Sequence, residues 1–238
     1  QAAFSQLGEN HGLAEGGVGM GAAAGVISGK DWRTDNSDYI NQEWLIVNGG
    51  PASPESDGWL NFGLPVAAGR MYRGSVEVDE SKYPIIFKSL KVIPGGGGAG
   101  KFRGAPGAEV IYGPRKDKMT VVIACDGQHF PPKGVSGGEP GPLATTWRVK
   151  TDGTEEQLAG VIECELAPGE FIRGTDTGGG GYGKPKDRDP VRVLKDVREK
   201  WETMARAKET YGVVLKGSME DESLSIDNTA TEKLRNAS

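Results

Sequence analysis

Short apolar runs bounded by turn residues dominate the centre of the chain. Ala108–Tyr112, Thr120–Ala124 and Thr145–Val149 are such runs, and their β-branched and aromatic residues favour strands. Asp152-Gly153 and Pro168-Gly169 have the composition of tight turns between strands. Further strands are predicted at residues 43–48, 85–87, 90–93, 161–166 and 171–172.

The pattern changes after residue 187. Asp189 is typical of a helix N-cap and Pro190 of a first helical position. Apolar residues then recur at three- and four-residue spacing, which predicts an amphipathic helix: Val191, Leu194, Val197, Trp201, Met204 and Ala205. We expect a break near Lys200 and an end before Gly212. Strands at 213–215 and 224–226 and a helix capped by Asp227 follow.

These elements predict an α+β fold. Its β-rich, glycine-loop-rich core consists of short, mainly antiparallel strands, and an amphipathic helical segment follows it. We divide the chain into a Gly/Ala-rich segment at residues 1–90 that belongs to a larger core, a β-rich domain at 91–186, and a helical segment with a polar tail at 187–238.

Composition narrows the class of protein. The chain of 238 residues holds 38 glycines without a collagen-like period, which indicates many tight turns and close backbone approaches. A net charge of −5 without basic clusters argues against nucleic-acid binding. The apolar runs fall short of the roughly 18 residues of a membrane span. Free Cys125 and Cys164 within strands suit a reducing compartment, so we expect a cytoplasmic protein. Because the sequence begins with Gln1, we also expect a longer gene product.

The segment Gly95–Phe102 resembles a phosphate-binding loop but fails in two ways. It fits G-x-x-x-x-G-K, yet Phe102 stands where Ser or Thr would bind Mg²⁺. Residues 103–107 (RGAPG) then break any helix whose N-terminus would hold phosphate. The sequence therefore predicts no ATP site and no other cofactor site in this chain.

Other candidate chemistry is sparse. Gly178–Gly181 either approach a ligand through their backbone N–H groups or form a turn too tight for side chains, and the sequence leaves both open. Asp126 and His129 lack further ligands at metal-site spacing, so no metal site is predicted. Glu163 and Glu165 suit a solvated strand face. The catalytic residues stay unknown.

Three spaced motifs follow one another along the chain. The first is GGAGKFRGAPG at 97–107. The second is FPPKG at 130–134 with GGEPG at 137–141. The third comprises Gly178–Gly183, Asp187–Pro190 and Asp196–Arg198, followed by Ala207 and residues 211–214. Over residues 90–216 their order and spacing resemble those of the hydantoinase B/oxoprolinase family, whose relatives include acetone and acetophenone carboxylase subunits.

This resemblance implies one part of a multi-subunit, ATP-dependent enzyme that opens a cyclic amide such as a hydantoin, 5-oxoproline or a lactam. It implies a hetero-oligomer with the N-terminal half of a B-type subunit and with a hydantoinase A-type subunit that binds ATP. ATP and a divalent metal are then expected in those parts, and the isolated chain is expected to be inactive. No catalytic residue is carried over onto this chain.

Two alternatives stay open. Residues 63–72 (GLPVAAGRMY), with Glu77 and Glu80 beyond them, depart from the pattern of the amide-hydrolysing relatives, which keeps an ATP-dependent ketone carboxylase open as an alternative. A non-catalytic module that completes the complex is compatible with either reaction.

The residues that we expect to form functional or structural sites lie in loops. The polar and aromatic loop with Asp57, Gly58, Trp59 and Asn61 is the predicted substrate-binding segment. Arg103 is expected to anchor its glycine loop through its five donors. The residues expected to shape the structural loops are Gly98, Gly100, Arg103, Gly104, Gly178, Gly179, Gly180, Gly181 and Tyr182.

Overall fold

A computed structural model describes residues 13–16, 24–44, 49–60 and 74–237. Two antiparallel sheets dominate it, and helices are few and short. This agrees with the predicted α+β class and with mainly antiparallel pairing.

The first sheet has four strands in the order β2-β1-β5-β8. They are β1 (Ala24–Asp31), β2 (Ser37–Trp44), β5 (Met119–Ala124) and β8 (Val161–Leu166). β1 and β2 form a hairpin whose turn places Asp35 and Asn36 at φ of 54° and 58°. Asn and Asp are the residue types, after glycine, that best tolerate this left-handed region.

The second sheet has five strands in the order β3-β4-β9-β6-β7. They are β3 (Ile85–Val92), β4 (Ala108–Pro114), β6 (Thr145–Val149), β7 (Glu155–Gln157) and β9 (Phe171–Thr175). The register of β3 against β4 shifts between Phe87 and Ser89. A bulge at this point joins the two predicted strands at 85–87 and 90–93 into one.

The sheets bury their facing sides in one hydrophobic cluster. Alternate residues of β5 point inward, so Val121 and Ile123 are fully buried while Val122 is exposed. Val110 and Ile172 meet them from the second sheet. β1 pairs with β5, so the first sheet combines strands from both sides of the boundary predicted at residue 90.

The helices fall into one that packs against β3 and three that follow the second sheet in the chain. Helix α1 (Val76–Lys82) precedes β3, and α2 (Pro190–Arg198), α3 (Met204–Glu209) and α4 (Asn228–Asn236) follow β9. A short 3₁₀ helix (Pro185–Asp187) leads into α2, and strands β10 (Leu215–Lys216) and β11 (Ser225–Ile226) pair between α3 and α4. A second apolar cluster joins Val193 and Val197 to Ala99 of the glycine loop.

The structure also differs from the predictions in particular places. The strand predicted at 43–48 is the end of β2, and residues 45–48 lie outside the described residues. The first hairpin strand, β1, and helix α1 were not predicted. The predicted break near Lys200, whose φ is 60°, separates α2 from α3, and α3 ends at Glu209, before Gly212 with its φ of 64°.

Candidate functional site

The segment Gly178–Gly181 runs through the middle of a bundle of loops. A Cβ atom added at each of its residues would overlap a backbone oxygen of another segment: Gly96 for Gly178, Gly50 for Gly179, Lys133 for Gly180 and Ala99 for Gly181. Only glycine lets backbones approach this closely. We call the packed segments 49–52, 96–107, 133–141 and 178–183 the glycine web.

Hydrogen bonds hold the glycine web together in several directions. Successive residues of the central segment exchange backbone bonds with different neighbours: Gly179 with Ala105 and Gly98 (2.9 and 2.8 Å), Gly180 with Glu15 and Ala52 (2.8 and 3.0 Å), and Gly181 with Glu139 and Val135 (2.9 and 3.0 Å). No side chain intervenes between these backbones. Of the two alternatives for Gly178–Gly181, these contacts fit a segment packed too tightly for side chains, rather than one whose backbone N–H groups face a ligand.

In the loop that resembles a phosphate-binding loop, backbone N–H groups are also used in hydrogen bonds within the chain. Gly95 donates its N–H to Trp201 (2.8 Å), Gly96 to Ile93 (2.9 Å) and Gly98 to Gly179 (2.8 Å). Since these donors are used inside the chain, the loop does not offer them to a nucleotide. Phe102 likewise brings no hydroxyl to this loop, and the binding of ATP outside this chain stays a prediction.

A buried arginine fastens the C-terminal helices to the glycine web. The Arg188 side chain is 1 % exposed and bonds both oxygens of Asp57, at 2.7 and 2.9 Å. It also bonds Asp196 of α2, at 2.7 and 3.1 Å, and the Lys101 carbonyl, at 3.0 Å. One guanidinium thus ties together three segments that are distant in sequence, as its fork of donors allows.

The electrostatics of this cluster follow from burial and charge. Burial alone would raise the pKa of Asp57, but hydrogen bonds and charge from Arg188 and Arg103 outweigh it, so the pKa is lowered. Burial alone would lower the pKa of Arg188, but Asp57 and Asp196 raise it. Asp57 is therefore held ionised.

Two further arginines complete the cluster. Arg103 donates its backbone N–H to Asp57 (2.9 Å), and its guanidinium lies 3.2 Å from Asp196 and 4.7 Å from the centre of the Trp201 ring. Nη1 of this buried side chain has no hydrogen-bond partner among the described residues. Arg192, at the surface, bonds Asp57 at 2.8 Å. Asp57, Arg103, Arg188, Arg192 and Asp196 form what we call the arginine cluster.

The predicted substrate segment lies on this cluster. Gly58 donates its N–H to Arg103 (2.8 Å), and a Cβ there would overlap the Gly50 carbonyl oxygen. Trp59 follows with 75 % of its surface exposed. Asn61 lies outside the described residues, as do residues 63–72. Asp57, Gly58 and Trp59 are brought together, and their role in binding substrate stays a prediction.

The predicted loop residues meet in one place. Gly98, Gly104 and Gly178–Gly181 belong to the glycine web. Gly100 sits against Phe102 and Tyr182, whose backbones exchange two hydrogen bonds of 3.0 and 2.8 Å. Sequence reasoning gave Arg188 and Asp196 no role. The sequence did hold one signal for such a role. Asp196 is a charged residue three positions after the buried Val193 on the same helix face, and a buried charge usually has a partner.

The described residues hold little conventional catalytic chemistry. They contain no group of three His, Cys, Asp or Glu side chains that fits a metal ion. His129 is exposed, Glu163 and Glu165 lie on an exposed strand face, and both cysteines are free. No helix in this part of the chain is long and apolar enough to cross a membrane. Within the described residues, the arrangement fixes backbone and charge.

Comparisons with known proteins agree with this architecture. The family model described as Hydantoinase B/oxoprolinase matches residues 2–185. Caprolactamase subunit beta of Pseudomonas jessenii is 32 % identical over 224 residues, which are 91 % of this chain and 38 % of that protein. The chain thus spans well under half of this relative's length.

Solved structures show the same fold. ATP-dependent caprolactamase from Pseudomonas jessenii superposes with a TM-score of 0.78 and 29 % identity, covering 94 % of this chain and 38 % of that one. The nucleotide-free structure of acetone carboxylase gives a TM-score of 0.76 at 20 % identity, covering 90 % and 32 %. At 20 % identity the second likeness shows the fold alone.

Proposed function

Since the chain belongs to the hydantoinase B/oxoprolinase family, we propose that it serves as part of a B-type subunit in an ATP-dependent enzyme that opens a cyclic amide. The similarity to caprolactamase subunit beta carries this proposal, because it extends over 91 % of the chain. A lactam ring is the favoured substrate class, with hydantoins and 5-oxoproline as its close chemical relatives. A cytoplasmic location stays a prediction.

Within that enzyme, we assign this chain the role of a rigid scaffold. The glycine web fixes the backbone of residues 49–58, and the arginine cluster fixes Asp57 at the surface of the web. The exposed Trp59 then leads into the segment that follows. A rigid support of this kind holds a binding loop in a productive geometry.

ATP and a divalent metal belong to other parts of the assembly in this proposal. The used N–H groups of the glycine loop support that assignment, as does the missing hydroxyl at Phe102. An A-type subunit would bind ATP, and the other part of a B-type subunit would supply the remaining side chains.

An ATP-dependent ketone carboxylase is the second candidate. Its support is the departure of residues 63–72 from the amide-hydrolysing pattern. The fold is shared with acetone carboxylase, but it is shared with caprolactamase to the same degree, so the fold does not separate the two reactions.

The test is to purify the chain from its own source together with its companions and to measure ATP hydrolysis. Caprolactam, hydantoin and 5-oxoproline would be supplied without bicarbonate, and acetone and acetophenone with it. Lactam-stimulated ATP hydrolysis without bicarbonate, with formation of the ring-opened amino acid, is the expected result. Turnover that requires both a ketone and bicarbonate would overturn the amide proposal in favour of the carboxylase.

A substitution tests the predicted substrate segment in the same assay. Trp59→Ala removes an exposed side chain from the predicted substrate segment and should raise KM while the complex still assembles. Phe130→Ala is the matched control, because Phe130 is an aromatic residue of similar exposure (85 %) on another loop. Equal kinetics for both variants would remove residue 59 from the substrate site.

A further inference from the structure

The outer faces of the two sheets, which point away from the shared hydrophobic cluster, differ in chemistry. In the second sheet, ion pairs cross the outer face from strand to strand. Arg173 of β9 bonds Glu155 of β7 at 2.6 Å, and its guanidinium lies over the ring of Trp147 in β6. Glu109 of β4 bonds Lys91 of β3 at 3.0 Å. Because side chains of all five strands take part, this face is suited to contact with water.

The outer face of the first sheet carries apolar side chains at its centre instead. Val26 of β1 lies opposite Val122 of β5, and Ala124 of β5 lies opposite Val161 of β8. Ile40 of β2 occupies the position diagonal to Val26. Residues in opposite and diagonal positions are about 5–8 Å apart, so these five side chains form one continuous group across all four strands. We call this group the outer patch.

The outer patch is exposed, although valine and isoleucine are among the residues that proteins bury most often. Val161 is 78 % exposed and Ile40 72 %, and Val122 and Ala124 are exposed as well. A single apolar side chain at a surface needs no explanation, whereas a contiguous group marks a site of contact with another segment of protein. An antiparallel sheet that faces water carries polar residues at such positions.

Charged residues lie around the outer patch. Ion pairs of Lys30 with Asp38 (2.6 Å) and of Lys118 with Glu165 (2.7 Å) lie at one end of the sheet. Glu163 lies beside the patch on β8, the edge strand. An apolar centre within a charged rim is the usual anatomy of a protein–protein interface. The surface that fits this face is therefore apolar, with a basic residue opposite Glu163.

We propose that the outer patch is the surface on which the remaining part of a B-type subunit packs. This inference rests on the proposed function, in which the chain is one part of such a subunit. The match to this chain covers 38 % of caprolactamase subunit beta, so well over half of that protein lies outside a domain of this kind. Parts of one subunit stay together permanently, and permanent interfaces are more apolar than transient ones. The outer patch has this apolar character, and the ion-paired face of the second sheet does not.

Cysteine labelling of the assembled enzyme tests this assignment. Val161→Cys and Val191→Cys would each be introduced into the chain, which is then purified from its own source with its companions. Val191 is the matched control, because it is an exposed valine (63 %) on helix α2 rather than on the sheet. We expect a maleimide to modify position 161 at least about tenfold more slowly than position 191, because only the first is covered. Equal rates at the two positions would overturn the proposal.

A photo-reactive cross-linker attached at position 161 identifies what covers the patch. We expect the linked peptide to come from B-type sequence outside the part that matches this chain. A peptide from an A-type subunit, or from a second copy of this chain, would overturn the proposal.

ATP hydrolysis measured on the same preparation keeps the two inferences apart. If a lactam stimulates hydrolysis while position 161 is labelled as fast as position 191, the surface assignment fails and the proposed function stands. If B-type sequence covers position 161 and a lactam has no effect, the proposed reaction fails and the surface assignment stands. A chain that purifies without any companion overturns both.

A charge placed within the patch should separate the two parts. Val122→Lys puts an unpaired ammonium group at the centre of the patch, so we expect the companion to be lost during purification, whereas Val191→Lys should retain it. Val161→Lys, at the beginning of β8, is the second variant for the case in which the first does not fold. Circular dichroism of each purified chain checks its fold. A folded lysine variant of the patch that retains the companion at the unmodified yield would overturn the proposal.

Discussion

The two antiparallel sheets, which together form a sandwich, and the glycine web are both closely packed, the first through side chains and the second through backbone. In the sandwich, side chains such as Val121, Ile123 and Ile172 fill the space between two sheets. In the web, backbones contact one another directly, and there is no room for a single methyl group at Gly178 or Gly179. In the sandwich, the stability lost should grow with the volume by which a side chain is changed. In the glycine web, even one added methyl group should prevent the backbones from packing.

The difference has an energetic basis. Each buried aliphatic side chain of the sandwich contributes about 1.5–3 kcal/mol through the hydrophobic effect. The web has little apolar surface, and each of its backbone hydrogen bonds contributes only about 1 kcal/mol net. Its stability therefore depends on many bonds being made together, and one displaced segment affects several of them.

The largest expected effect is that of adding one methyl group to the web. In Gly179→Ala the new Cβ would overlap the Gly50 carbonyl, and the bonds of Gly179 to Ala105 and Gly98 would break together. We expect a loss of stability beyond the 4–5 kcal/mol or so that ordinary substitutions reach, seen as a failure to accumulate folded protein. Urea unfolding or recovery after expression measures it.

Gly153→Ala is the matched control for that change. Gly153 has φ of 82°, but nothing lies within 4 Å of an added Cβ. Only the cost of the left-handed backbone applies, about 1–2 kcal/mol. If both alanine variants lose the same stability, close packing does not distinguish the web from an ordinary turn.

The next largest effect concerns the charge that joins the web to the C-terminal helices. Arg188→Met would leave Asp57 and Asp196 without their main partner, at a cost of about 3–5 kcal/mol in the free energy of unfolding. Arg192→Met, with a side chain 43 % exposed, should cost less than about 1 kcal/mol. Denaturant titrations of the two variants measure both losses in unfolding free energy.

Neutralising the acids tests the reason for this loss. If uncompensated charge is responsible, adding Asp57→Asn and Asp196→Asn to Arg188→Met should restore part of the stability. A triple variant less stable than Arg188→Met alone would instead assign the loss to packing.

Local signals in the sequence were sufficient for much of the fold. Asp189 bonds the Val191 N–H at 2.8 Å and Asp227 the Ala230 N–H at 3.0 Å, as their positions before apolar runs predict. The strands at 108–112, 120–124 and 145–149 were predictable because alternating apolar residues mark a half-buried strand. The hairpin of β1 and β2 was not, because its turn is Asp35-Asn36 rather than Asn-Gly and its strands carry glycine and polar residues.

The candidate site was predictable only in its parts. Runs of glycine indicate that no side chain fits, but they do not reveal that Gly50, Ala105 and Gly179 meet, because those contacts join segments distant in sequence. In the same way, Arg188 and Asp57 are separated by 131 residues, and no periodicity connects them. Tertiary contact, rather than local preference, determines both.

A smaller loss of stability is expected when a side chain of the sandwich is shortened. Ile123→Val removes one methyl group from the sandwich, where Ile123 is fully buried. We expect a loss of about 0.5–1.5 kcal/mol in the free energy of unfolding, because neighbouring side chains relax around the space. The chain should therefore withstand a methyl removed from the sandwich and not a methyl added to the web. A loss of more than about 3 kcal/mol would show that the sandwich is equally intolerant.

The smallest effect is the response to acid of two ion pairs beside the glycine web, Glu202 with Arg206 and Asp57 with Arg188, because the two carboxyl groups act in opposite directions. Burial raises the pKa of Glu202, despite its bond to Arg206, so the folded state gains stability as pH falls towards 4.5. The pKa of Asp57 is lowered, so its contribution is present above 3.8 and is lost as pH falls below that value. Two variants, Glu202→Gln and Asp57→Asn, separate the two contributions. For each variant, the difference in unfolding free energy from the unmodified chain would be measured as a function of pH. For Glu202→Gln the difference should change with pH only above about 4.5, and for Asp57→Asn only below about 3.8. A difference for Asp57→Asn that does not change in acid would mean that Arg188 holds this carboxylate no more strongly in the folded chain than water does in the unfolded one.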